Sequence, residues 1–211
     1  MSKNTRTRIL LTAVAALLLV TMAVGGTLAW LVDETTPVTN TFTPADIDIE
    51  LGETTPTSYK LVPGTVYNKN PKVTVKADTD VEIYLFVKVE EIGSPATYLT
   101  YETTMYTVAE DGTKTAKAPW ALVPDQTDVW YRTVAPQTPA DDQSWNLLVG
   151  NETYDDGIVT VKDSLKETEM PTGEVKLQFT AYGIQTANMT DSNNNGSPVD
   201  EAYKLASSGN N

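Results

Sequence analysis

Residues 81–90 read Val-Glu-Ile-Tyr-Leu-Phe-Val-Lys-Val-Glu. Val81, Ile83, Leu85, Val87 and Val89 fall on one side of an extended chain, and Glu82, Tyr84, Phe86, Lys88 and Glu90 on the other. A period of two over ten residues predicts a strand with an aliphatic face on a core and a mixed face outward. Nearer the C-terminus the pattern returns: Val175, Leu177, Phe179 and Ala181 alternate with Lys176, Gln178, Thr180 and Tyr182. Between these lie runs rich in Thr, Tyr and Val at 98–108, 128–134 and 158–162, residue types that suit a pleated, half-buried surface. Asp111-Gly112, Asp156-Gly157 and Pro63-Gly64 punctuate the runs. Asp-Gly supplies the positive φ that two-residue hairpin turns need. Beyond residue 29 no long apolar repeat of period 3.6 occurs; the one helix expected there is a short one over residues 199–207, after the Asn/Gly-rich loop 191–196. Short strands, turn signals and almost no helix predict an all-β fold, an antiparallel β-sandwich.

The N-terminus has a different character. Lys3, Arg6 and Arg8 are followed by an uncharged run from Ile9 to Val24, then Gly25-Gly26 and Thr27-Leu28-Ala29. A basic start, an apolar helix and small residues at the −3 and −1 positions form the layout of a secretory signal peptide cut between Ala29 and Trp30. The expected organisation is therefore a signal peptide over residues 1–29 and one secreted β-sandwich domain over residues 30–211. An uncleaved anchor competes with it, because the uncharged stretch from Ile9 to Val32 runs 24 residues and about 20 apolar residues span a bilayer. Against the anchor, each Gly lowers helix propensity by about 1 kcal/mol relative to Ala. Once residues 1–29 are cleaved, the membrane plays no further part in this reading.

Charge and missing residue types narrow the chemistry. The chain carries 28 acidic and 15 basic residues, a net charge of −13, and removal of three positive residues would make it −16. Such a chain repels nucleic acid and anionic lipid. There is no Cys, hence no disulfide and no thiolate. There is no His, which removes Ser-His-Asp catalysis and two-imidazole zinc sites. Paired carboxylates such as Glu90-Glu91 or Asp141-Asp142 remain for acid–base work, but neighbours on a strand face opposite ways, and solvated surface acids are the better account of them. The expectation is a protein that is not an enzyme and carries no cofactor.

Two weaker signals stand beside this. Asp191, Asn193, Asn195 and Gly196 match the first half of a calcium loop. The match fails at the twelfth position, where Ala202 replaces the bidentate Glu and Glu201 lies one residue early; an ordinary Asn/Gly turn explains the same residues. Trp120, Trp130-Tyr131 and Trp145 offer faces on which a sugar ring can stack, or they fill a core.

The segment across the proposed cut is more specific. Gly25-Gly26-Thr27-Leu28-Ala29-Trp30-Leu31-Val32-Asp33, then Asn40-Thr41-Phe42, Ala45-Asp46-Ile47-Asp48-Ile49 and Gly52, resembles the start of the TasA/camelysin family. These are secreted proteins of Gram-positive bacteria processed by a SipW-type signal peptidase. Leu61-Val62-Pro63-Gly64, Trp130-Tyr131-Arg132 and Ala181-Tyr182-Gly183-Ile184-Gln185 resemble further segments of that family. The resemblance implies a jelly-roll-like sandwich and, for TasA, self-association into biofilm matrix fibres, the mature N-terminal strand of one subunit completing the sheet of the next. The candidate donor residues here are Trp30, Leu31, Val32, Val38 and Phe42; a plain first strand or loose arm accounts for them equally. The camelysin branch carries a metallopeptidase label, which a chain without His does not support. The function expected is that of a secreted structural protein of the extracellular matrix or cell surface, with a SipW-type peptidase and further copies of itself as partners. A different reading is an extracellular binding module for carbohydrate or a partner protein.

Overall fold

Residues 83–90 of the period-two stretch lie in a strand of ten residues, Ile83–Ile92, in the computed structural model, Val81 and Glu82 falling before it; the structure describes residues 4–5, 11–14, 46–136, 141–191 and 197–208. Two compact units divide the chain, Met1–Thr43 and Pro44–Asn211. In the first, residues 4–5 and 11–14 are helical and exposed. Among the described residues no helix is long and apolar enough to cross a membrane.

Among its described residues the second unit holds twelve strands in chain order: β1 (Ile49–Gly52), β2 (Val66–Asn68), β3 (Lys72–Val75), β4 (Ile83–Ile92), β5 (Leu99–Tyr101), β6 (Tyr106–Val108), β7 (Lys114–Ala116), β8 (Ala121–Leu122), β9 (Val129–Val134), β10 (Gln143–Asn146), β11 (Ile158–Val161) and β12 (Lys176–Gln185). They form sheets ordered β12-β4-β9-β8, β1-β3-β10, β2-β11-β5 and β6-β7. Every strand pairing is antiparallel, so the fold is all-β in its sheets. The β4–β12 ladder runs without interruption from Ile83↔Gln185 to Ile92↔Lys176.

The aliphatic face of β4 lies where its pattern puts it. Ile83, Leu85, Val87 and Val89 join Val73 and Val75 of β3 and Trp130 and Val134 of β9 in one buried cluster. The four-stranded sheet thus meets the β1-β3-β10 sheet through that face, with Ile47 and Ile49 covering it near Gly183. The opposite face is not wholly outward, as the alternation alone suggested. Phe86 is completely buried, in a second cluster with Val123, Val129, Val199 and Ala202. The cover is the C-terminal helix, Val199–Ser208. Val199, Ala202, Tyr203 and Ala206 recur at the i, i+3, i+4, i+7 spacing that makes one apolar stripe, and all four belong to this cluster. A helix lying on a sheet buries Phe86 and Tyr84 that a lone strand would leave wet.

The run at 98–108 is broken rather than continuous. Tyr98 closes a helical turn, Pro95–Tyr98, and only Leu99–Tyr101 and Tyr106–Val108 are strands. Between them the Thr103 hydroxyl donates to the Tyr106 carbonyl at 2.8 Å and accepts from the Tyr106 N–H at 3.1 Å. A local side-chain bond of this sort competes with the strand ladder and turns the chain. Asp111-Gly112 lies in the hairpin connection between β6 and β7, which is longer than a two-residue turn, with Gly112 alone at positive φ, 85°. Asp156-Gly157 instead serves a close approach: a Cβ at Gly157 would meet the Lys69 carbonyl and the Leu148 side chain.

Candidate functional site

β12 is hydrogen-bonded along one side to β4 and, among the described residues, has no strand on its other side. It is ten residues long, against a usual strand length of about 5–6. Beside its first half runs a groove of about 640 Å³ whose lining includes Leu51 of β1, Tyr59, Tyr67 of β2, Val161 of β11, and Leu177 and Phe179 of β12. The lining mixes these apolar and aromatic residues with polar ones such as Lys69 and Gln178; Leu177 and Phe179 also touch the main core.

The groove's rim is built by a polar lattice in the segment between β1 and β3. The Asn70 side chain accepts from the Thr54 and Thr55 N–H groups at 3.0 and 3.1 Å. Tyr59 donates to the Asn68 carbonyl at 2.9 Å and Tyr67 to the Lys60 carbonyl at 2.6 Å. Their rings lie 4.5 Å apart. Lys69 reaches Glu53 at 2.7 Å while lying 5.0 Å from the Tyr59 ring centroid. These bonds tie the rim to itself, and the charges of Lys69 and Glu53 are paired with each other. On the other side Gly93, at φ 70°, lets the backbone of residues 174–175 come close; a Cβ there would collide with the Glu174 carbonyl.

A second, more open depression of about 560 Å³ lies beside Glu90, Glu91, Lys114 and Asp128. Its adjacent carboxylates diverge. Glu90 pairs with Lys88 at 2.9 Å, and Glu91 pairs with Lys114 at 3.0 Å and accepts from the Tyr106 hydroxyl at 3.4 Å. Burial, and then the Glu91 charge, push the hydroxyls of Tyr101 and Tyr106 well above the usual tyrosine range. Asp142 is likewise occupied, pairing with Lys76 at 3.3 Å and accepting from the Ala77 N–H at 3.0 Å. These carboxylates tie strands and loops together rather than converging on one point.

Of the residues singled out from sequence, Ala29, Trp30, Leu31, Val32, Val38 and Phe42 lie outside the described residues, as do Asn193 and Asn195. Asp191 is half-buried at the start of its loop. Ala202, at the twelfth position counted from Asp191, is fully buried in the cluster with Phe86. Asp200 is 3 % exposed and lies 3.6 Å from Lys204. Among the described residues no three acidic side chains are grouped to hold a metal.

The aromatic residues divide between the two faces of the sheet. Trp130 is completely buried and stacks on Tyr106 at 4.5 Å. Tyr131, its neighbour, faces the helix side with Tyr84, 6.0 Å away. Trp120 is 5 % exposed, and Trp145 is half-buried against the core. Trp120 and Trp145 flank Arg132, whose guanidinium carbon lies 5.5 and 4.1 Å from the two ring centroids. Their best faces are thus taken by a cation from their own chain. Neither this clamp nor the groove stood out from sequence, since both depend on which strands meet across the fold. No protein-family model matches the chain, and neither a curated protein nor a solved structure matches it.

Proposed function

We propose that this chain is a secreted structural protein of the extracellular matrix or cell surface, which self-associates by adding an extended segment of one copy to the sheet of another. The observation that carries this reading is the edge of β12, ten residues without a strand neighbour among the described residues, with an apolar groove alongside. An unpaired edge presents a row of N–H and C=O groups that an incoming strand satisfies, and native proteins blunt such edges or use them. Main-chain bonds then supply affinity, while pockets for alternate side chains supply register. The floor provided by Leu51, Leu177 and Phe179 suits apolar side chains at every second position.

The donor assigned here is residues 30–42, a weakly charged stretch with apolar residues at Trp30, Leu31, Val32, Val38 and Phe42. The resemblance of residues 25–52 to the TasA/camelysin family leads to the same reading, with export and cleavage after Ala29 freeing the donor. The test is electron microscopy of the mature chain, of a form lacking residues 30–42, and of Leu51→Lys. Leu51 is 37 % exposed, so lysine there changes the groove and not the core. Fibres or oligomers are expected from the first and not from the other two; assembly unchanged in both variants refutes strand addition.

A further inference from the structure

Arg132 is the one arginine among the described residues. It sits on β9 opposite Leu85, whose own partner on the far side is Gly183. Its side chain therefore points into the layer between the two facing sheets, on the same side as Trp130 and Val134. Trp145 approaches from β10, the last strand of one sheet, and Trp120 from the segment leading into β8, the last strand of the other. The guanidinium lies between two indoles.

What sets this cation apart is that it lacks a counter-charge among the described residues, as Lys60, Lys72 and Lys162 also do, while being drawn between two indoles with a buried nitrogen that has no acceptor. In a chain with 28 carboxylates, eight lysines are in ion pairs. Arg132 has none among the described residues, and its Nε is buried without an acceptor. Burial alone lowers its affinity for a proton; no neighbouring acid offsets it. A partly desolvated guanidinium with free N–H groups strongly favours a planar anion, because charge-assisted bonds gain as water is excluded. The residue retains partial exposure, so such an anion can reach it.

We propose that Arg132, clamped by Trp120 and Trp145, is a binding site for a carboxylate group supplied from outside the chain. A single positive charge in a strongly acidic molecule matches a monoanion; a phosphate dianion would meet one cation and the repulsion of the whole chain. A planar carboxylate can also accept two parallel bonds from a guanidinium, a geometry that a chloride ion cannot match. The site stands independently of strand addition, since it lies on the β8/β10 side and not on the β12 edge.

The test uses the full chain labelled with [15N]arginine, which yields three Nε signals, for Arg6, Arg8 and Arg132. The indole rings shift the Arg132 signal upfield, and Arg132→Lys removes it. Sodium acetate is titrated against sodium chloride at equal ionic strength, with sodium phosphate as a third arm. The expected result is a saturable shift of the Arg132 signal with acetate only, half-complete at roughly 5–100 mM, the range one charge-assisted pair supports. Trp145→Leu should weaken that response while leaving the signals of Arg6 and Arg8 unmoved. No shift, or equal shifts with acetate and chloride, overturns the site. A stronger response to phosphate overturns the assignment to carboxylate.

Discussion

Tyr106 shows how one side chain can serve packing and charge at once. Its ring stacks on Trp130 at 4.5 Å inside the core, and its hydroxyl reaches Glu91 at 3.4 Å, with Lys114 3.0 Å from the same carboxylate oxygen. Burial and the adjacent negative charge both oppose the phenolate, so the folded state holds the proton above the ordinary tyrosine value of 10.0. Tyr101 behaves the same way for the same causes. In the unfolded chain both ionise near pH 10, so above that pH the unfolded state binds fewer protons than the native one and stability falls as pH rises. The contribution is fully present below about pH 10 and is lost progressively above it. Urea unfolding between neutral and strongly alkaline pH should show a decline beginning near pH 10, with ultraviolet absorbance showing Tyr101 and Tyr106, beside the less buried Tyr84 and Tyr203, resisting ionisation. Tyr106→Phe keeps the ring stack and should cost under about 1.5 kcal/mol at neutral pH while flattening the alkaline decline. An unchanged alkaline limb would show that Tyr106 is not held neutral by its surroundings.

At the scale of elements, the C-terminal helix decides what the central sheet is. Residues 81–90 disclose a strand with one aliphatic face, and that face is core as its pattern demands. Tyr84 and Phe86 on the other face looked merely mixed, because a period of two says which residues share a side and not what covers that side. The helix stripe Val199, Ala202, Tyr203 and Ala206 was legible only as a short helix; its destination depends on a sheet assembled from distant residues. Tyr203 meets Phe86 at 5.5 Å and Tyr182 at 5.9 Å. Tyr203→Ala should therefore cost roughly 1–3 kcal/mol, less than the 3–5 of a fully buried aromatic, because Tyr203 is half-buried. Denaturant unfolding measures it, and fluorescence of a hydrophobic dye should rise as the aromatic face is uncovered. The same limit hid the groove and the Arg132 clamp. Trp130-Tyr131-Arg132 is visible as three adjacent residues, yet Trp130 and Arg132 enter one layer and Tyr131 the other. The partners Trp120 and Trp145 are 12 and 13 positions away in sequence and meet Arg132 only when two sheets face each other.

The whole molecule presents a physical conflict if it assembles. A copy with a net charge of −13, or −16 after loss of Lys3, Arg6 and Arg8, repels another copy, and that repulsion acts over the Debye length, about 30 Å at 0.01 M salt and 8 Å at 0.15 M. Strand addition draws its affinity from main-chain bonds and apolar burial, which salt leaves largely intact. Salt should therefore accelerate self-association by removing the repulsion while sparing the contact. Light scattering of the mature chain should show faster growth at about 0.15 M sodium chloride than at about 0.01 M, with the dependence levelling off once the Debye length falls below the spacing of surface charges. An interface made of ion pairs predicts the reverse, growth slowed by salt, and that result would move the contact away from the apolar groove beside β12. The form lacking residues 30–42 sharpens the comparison, since its net charge differs by only the two acids Asp33 and Glu34. Repulsion is nearly the same in the two forms, so a difference in their assembly at high salt reports the donor segment and not the field of the molecule.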